Sequence, residues 1–294
     1  MYLHLMVCLF ALLPCISPAQ TETNGDSAGG ESLRQAAWRM IHAETDSGRT
    51  EAGRLFAGKF TSLLMLPASF EYSFDSVPEI SVQTPPDKSF HIYTWVIPRA
   101  DQSSYSYYGI IQCFDRKKKK TAVYPLRDTS SFLVTPGNVK LSGGAWYGAS
   151  YYKIISSGKR RYTLLGWKGN DRITTKKVIE SLYFPGNKPV FGEPVFKFQK
   201  ETINRIVFEY NASVVMSLKY DDHSCMIVFD HLSPADPRME GVFSNYGPDF
   251  IYDAFTLKKG RWIYIHDIDA RNPSSSGPKR RNTDPHPPPV DIIR

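Results

Sequence analysis

The chain has 294 residues, 41% hydrophobic and 22% charged, with 17 Tyr, 17 Phe, 5 Trp and a formal net charge of +7. That composition excludes a disordered or fibrous chain and leaves enough length to bury a sizeable core. A basic surface can attract nucleic acid, anionic lipid or acidic glycan. Here the cations are not gathered into the footprint of a nucleic-acid reader, so no nucleic-acid partner is expected.

Leu5 to Leu13 form an apolar run too short to span a bilayer as a helix and suited to the core of a secretory signal peptide. Ser17-Pro18-Ala19 supplies small residues for a signal peptidase, so cleavage after Ala19 is expected, although the start, Met1 to His4, has no Lys or Arg. A lipidated Cys15 is the rival reading, opposed by Pro14 before it. No later segment is long and apolar enough to cross a membrane. The expectation is an exported protein, periplasmic, cell-envelope or extracellular, with no transmembrane helix in the mature chain. Cys8 and Cys15 leave with the signal, while Cys113 and Cys225 could pair or pack as small buried hydrophobes. Two cysteines without a CxxC make no structural zinc site.

Residues 20–30 are small and polar and read as a disordered leader. A helical segment covers 31–69, with one helix over 31–43 and another from about Glu51 to Leu66, separated by Gly48 and stopped by Pro67. From Phe70 the period turns to alternation, most clearly at Ala212, Val214, Met216, Leu218 and Tyr220. Further strands are expected at 90–97, 105–114, 146–155, 162–167, 174–183, 203–210, 226–230, 250–257 and 262–268. Short turns join them, including Ser156-Ser157-Gly158, Asp221 to Ser224 and Lys258-Lys259-Gly260. Arg116 to Lys120 reads as a solvated hairpin tip. Residues 273–294 hold six prolines and read as a disordered or extended tail.

Four segments begin with Tyr and a turn-tolerant residue: Tyr108-Gly109, Tyr147-Gly148, Tyr210-Asn211 and Tyr252-Asp253. Each is read as a kinked strand returning through a polar turn to a second aromatic-rich strand. The fold class is therefore all-β dominated. It is an antiparallel meander of repeated hairpins, propeller-like or a sandwich, over 70–272, with two short N-terminal helices.

The stretch from about Phe90 to Asn272 resembles a group of uncharacterised exported, β-rich proteins of Bacteroidota. The likeness rests on His91 to Trp95, Tyr124 to Asp128, Tyr162 to Trp167, Met226 to Pro234 and Tyr246 to Phe250. It implies a bacterial exported protein and carries no activity with it.

Chemistry-bearing residues gather near the end. Asp249, Asp253, Asp267 and Asp269, with His266 beside them, fall at the ends of the last hairpin. Paired carboxylates are what glycoside hydrolysis needs, while the ligand spacing of a calcium loop fails after Asp269. Asp230-His231 and Asp221-Asp222-His223 are Asp/His pairs without a nucleophile motif nearby. There is no P-loop, G-x-G-x-x-G or H-E-x-x-H, so neither a cofactor nor a metal is expected. The aromatic excess favours a non-enzymatic module that binds a glycan, peptide or envelope protein through an aromatic-lined sheet face or loop rim. The alternatives are a hydrolase of an extracellular polymer and a structural envelope protein.

Overall fold

Two helices come first, α1 (Leu33–His42) and α2 (Asp46–Leu64). The computed structural model describes residues 31–198, 200–269 and 292–293; the expected signal peptide, the leader 20–30 and nearly all of the Pro-rich tail lie outside them. α2 begins earlier than its apolar face suggests because Thr45 caps it, its Oγ1 accepting the Gly48 N–H at 3.1 Å. The cap satisfies one of the first-turn donors that have no partner inside a helix. Gly48 therefore lies inside α2, and the break between helices falls before it.

The first sheet runs in sequence order: β1 (Ile80–Gln83), β2 (Phe90–Pro98), β3 (Tyr105–Asp115), β4 (Lys120–Asp128) and β5 (Ala145–Trp146). The second contains β6 (Ser150–Gly158), β7 (Arg161–Gly169) and β8 (Thr174–Tyr183), with β9 (Val190–Phe191) also on β8. The chain then forms β10 (Phe196–Phe198) and β11 (Glu201–Ile203) and returns to the second sheet as β12 (Arg205–Asn211), beside β8. β13 (Leu218–Asp221), β14 (Met226–Pro234), β15 (Tyr246–Lys258) and β16 (Arg261–Ile265) complete a third sheet, in the order β11-β10-β16-β15-β14-β13. Most pairs are antiparallel hairpin neighbours; β4 with β5 and β10 with β16 are parallel.

The sheets stack. Helix residues Met40, Phe56 and Phe60 pack on Tyr93 and Trp95 of the first sheet, whose other face, with Ile92 and Ile111, meets the second. Within the second sheet, adjacent residues enter opposite cores: Leu164 and Leu165, Val178 and Ile179, Val207 and Ile206. The third sheet covers the far side through Phe196, Phe229, Phe255 and Trp262. A sheet buried on both faces cannot alternate apolar with polar residues, which is why consecutive apolar residues run through the middles of β7, β8 and β12. This is the sandwich alternative; its face-to-face layers are not the radial blades of a propeller.

On the face of the second sheet toward the first, charge enters in pairs. Glu180 and Arg205 sit opposite each other on β8 and β12, both 0% exposed. The Tyr151 hydroxyl donates to Glu180, and Arg205 Nη1 donates to the Pro136 carbonyl at 2.5 Å. Four residues along, Lys176 pairs with Glu209 at 3.2 Å. Lys168 has a like charge, Lys176, as its cross-strand neighbour, so it turns to the first sheet instead. Its Nζ donates to Asp128 at 3.0 Å and to the Gly148 carbonyl at 2.8 Å, 4.0 Å from the centre of the Tyr107 ring. Burial pushes the Lys168 ammonium below its ordinary pKa, and Asp128 opposes that shift. Gly148, at φ +72°, leaves the space that the Asp128 carboxylate fills.

Several expectations are corrected. Residues 212–217 are not a strand: Asn211 folds them into a turn by accepting the Ser213 N–H at 2.8 Å and its hydroxyl at 2.6 Å. Tyr210 consequently ends a strand instead of leading a hairpin, and of the four Tyr-led positions only Gly148 has the left-handed backbone of the expected kink. The segment 146–155 is broken after Trp146, and β16 stops at Ile265. Cys225 lies exposed in a turn and Cys113 is half-buried, both as free thiols. Ile292 and Ile293, inside the expected tail, are packed: Ile292 enters the core between the second and third sheets, and the Ile293 N–H donates to the Val207 carbonyl at 3.0 Å. Among the described residues no helix is long and apolar enough to cross a membrane.

Removing one partner of a buried ion pair leaves the other charge stranded, at a cost of about 3–5 kcal/mol. Glu180→Leu should destabilise by that amount in urea denaturation, and adding Arg205→Met should recover most of the loss. Equal stability of the two variants would show that the pairing does not matter.

Candidate metal centre

The end of the third sheet gathers the expected acidic residues around two histidines. Side chains on one face of a strand recur every second residue. On β14 that face carries Ile227, Phe229 and His231; on β15, Asp253 and Phe255; on β16 and just beyond it, Trp262, Tyr264 and His266. Phe229 lies opposite Asp253, and Phe255 opposite Tyr264. The polar group thus continues the core-facing stripe to the margin of the sheet.

Asp253 is completely buried, so its charge needs partners at both oxygens. Oδ1 meets His266 Nδ1 at 2.8 Å and accepts the Asp267 N–H at 3.0 Å; Oδ2 accepts the Tyr264 hydroxyl at 2.7 Å. Asp267 reaches this geometry with φ +49°.

A bulge supplies the second carboxylate. The β14–β15 register shifts between Asp230 and Leu232, and Phe250 sits in the extra loop of β15 with φ +70° and 93% exposure. A bulge of this kind re-aims neighbouring side chains. It turns Asp249 onto His231, with Oδ2 2.7 Å from Nδ1. Burial raises the Asp249 carboxyl pKa, but the hydrogen bond and charge of His231, with the Ile251 N–H and Ser233, outweigh it and hold the carboxyl below its ordinary value. An ionised carboxylate only accepts, so His231 Nδ1 carries the proton of this bond. His231 is itself 1% exposed, and its ring lies 5.4 Å from that of His266.

His231, Asp253 and His266 each offer a ligand atom, all within 4.8 Å of one another. Bonds of about 2.0–2.1 Å to a tetrahedral ion want ligand atoms about 3.4 Å apart, so a small inward movement would complete the set. Two imidazoles and one carboxylate suit Zn²⁺ and its transition-metal neighbours; Ca²⁺ and Mg²⁺ prefer all-oxygen shells. A histidine ligand held through its other nitrogen by a carboxylate is the usual outer-shell arrangement of such sites.

The sequence-expected residues divide as follows. Asp253 and His266 come together, Asp267 joins them through its backbone, and Asp249 holds His231 instead of facing Asp267 across a gap. Asp269 follows Ile268, which packs on Val228 and Ala254 at the opposite face. Asp230 points away from His231 and accepts the Ser217 N–H at 2.7 Å; burial, with the nearby Asp249 charge, raises its carboxyl pKa. Asp221 caps its own turn through the His223 and Ser224 N–H groups. Sequence reasoning placed the last two strands side by side but left out β14, so His231, singled out only as half of an Asp/His pair, was not joined to the acidic cluster, and Tyr264 as a support was missed. Their shared two-residue period with Phe229 and Trp262 was the available signal.

No known family model matches the chain, and neither a curated protein nor a solved structure matches it. The chemistry of the centre therefore rests on its geometry. A hydrogen bond to a charged group contributes about 1.5–3 kcal/mol, and Asp249→Asn should destabilise by that amount at neutral pH. The folded carboxyl titrates below its ordinary value of 3.8, so its contribution is complete above that value and fades as pH falls through the lower folded one. Urea denaturation of wild type and variant should show a gap that narrows with acidification below about pH 4; a pH-independent gap would rule out a charge-assisted bond.

Proposed function

We propose that this chain is an exported, non-enzymatic binding module that carries a divalent transition-metal ion of the Zn²⁺ class on His231, Asp253 and His266. The observation that carries this reading is the convergence of His231, Asp253 and His266, whose ligand atoms lie within 4.8 Å of one another, with Asp249 orienting His231 through a hydrogen bond of 2.7 Å. The ion would tie β14, β15 and the segment after β16 together at the margin of the sheet.

Burial supports holding over turnover. Asp253 is sealed from solvent and His266 is 14% exposed, which leaves little room for a polymer to approach the ion. The same sealing counts against hydrolysis by paired carboxylates, because a general acid must reach the leaving-group oxygen of its substrate. The partner expected for such a module is a glycan, a peptide or an envelope protein.

Metal analysis of the purified protein should return close to one equivalent of zinc. After chelation, zinc at about 100 μM should raise the melting temperature in proportion to its affinity. His231→Ala with His266→Ala should abolish both effects, while Asp249→Asn should weaken binding about 10–100-fold. Affinity should fall with acidification, because protons compete with the metal for its ligands. A chelated wild type with no thermal response to zinc would overturn the metal assignment.

A further inference from the structure

The basic hairpin tip from Arg116 to Lys120 does not stand alone in solvent. The β6–β7 turn, Lys159-Arg160, lies across from it, and the two enclose a cleft of about 530 Å³. Phe90, Tyr162 and Phe184 form its floor as a cluster of rings 4.9–6.1 Å apart, and Phe114 and Tyr124 are half-buried at its wall. A cleft of this size holds a small organic molecule or a few sugar rings.

Its charge is unbalanced. Lys118, Lys120 and Arg160 line it together with two carboxylates, Asp87 and Asp115. Both carboxylates are already engaged. Asp87 accepts the Tyr162 hydroxyl at 2.6 Å and the Ser89 hydroxyl at 2.7 Å, and Asp115 accepts the Lys117 and Lys118 N–H groups at 3.0 and 3.1 Å. Among the described residues Lys120 and Arg160 have no carboxylate partner. Arg160 reaches only the Asn187 amide oxygen, at 3.3 Å, with its guanidinium 5.9 Å from the Phe184 ring centre. It does so from φ +56°, a backbone state that strains a non-glycine residue and that a turn normally gives to Gly or Asn.

From this convergence we propose that the cleft binds an acidic oligosaccharide, specifically one carrying uronic-acid carboxylates. Lys120 and Arg160 would take the carboxylates, the half-buried rings would pack on pyranose faces, and Asn187 and the remaining acceptor capacity of Asp87 would take hydroxyls. A nucleic acid fits less well: it needs a basic groove that follows a phosphate at every residue, whereas these cations are confined to two tips with Asp87 between. The proposal rests on the reading of the chain as a binding module and is independent of the metal centre.

Isothermal titration with tetragalacturonic acid should show binding that weakens with added salt, with none to the neutral tetrasaccharide of galactose. Lys120→Ala with Arg160→Ala should weaken binding at least tenfold. Both side chains are exposed, so the melting temperature should not move. His231→Ala should leave the affinity unchanged. No binding by wild type, equal binding of the neutral sugar, or tighter binding of a dT octamer would each overturn the proposal. Binding that survives the double substitution but disappears in His231→Ala would assign the carboxylates to the metal and overturn the cleft, leaving the metal reading intact.

Discussion

The face of the second sheet toward the first is shut off from solvent, which imposes one rule on it: any ionised group there must bring its counter-charge with it. β7, β8 and β12 obey it with Lys168–Asp128, Lys176–Glu209 and Arg205–Glu180. All three pairs lie on the side toward the first sheet, where Leu164, Val178 and Val207 also point. Two of the pairs join neighbouring strands, and Lys168 joins separate sheets. The guanidinium of Arg205 also reaches the carbonyl of Pro136, which anchors the loop between β4 and β5 to the centre of the molecule. The layers are thus set by apolar area and their mutual registration by directional bonds, since hydrophobic contact is non-directional.

The centre on the third sheet is the same rule applied at a margin. Asp253 faces the core stripe where an apolar residue would be cheaper, and three donors surround it. Tyr264 and the Asp267 backbone set the position of its carboxylate, and Asp249 fixes the ring of His231. An arrangement in which each polar atom orients the next is preorganised, so little would be lost on binding the cation we propose. The exposed Phe250 on its left-handed backbone shows where local strain is tolerated to obtain that alignment.

The fold was legible where local chemistry and tertiary burial agree. β8 was read with its observed limits because polar turns bound it and Val178, Ile179 and Leu182 give both its faces an apolar centre. The Lys258-Lys259-Gly260 turn was legible from its glycine, which takes φ +76°. Residues 212–217 misled because Ala212, Val214 and Met216 alternate as a strand would, while a single side chain, Asn211, decides the backbone by capping a turn. Half of the centre was legible, because Asp253 and His266 belong to one hairpin with a short turn. The other half depends on a bulge at Phe250, and a phenylalanine gives no sign of positive φ. The basic tip near Lys118 was recognised as a tip, but its facing partner Arg160 lies on another sheet and could not be paired with it from spacing.

The last described residues carry a consequence of their own. β12 lies at the margin of the second sheet, with β8 as its strand neighbour. Ile293 donates its N–H to Val207 of that strand, and Ile292 and Ile293 enter the cores on either side of the sheet. An unprotected strand margin is a template on which a second chain can grow. These two isoleucines act as a stopper, occupying a backbone acceptor and filling the seams above and below it. A dipeptide far along the chain from β12 thereby covers part of that strand's open margin.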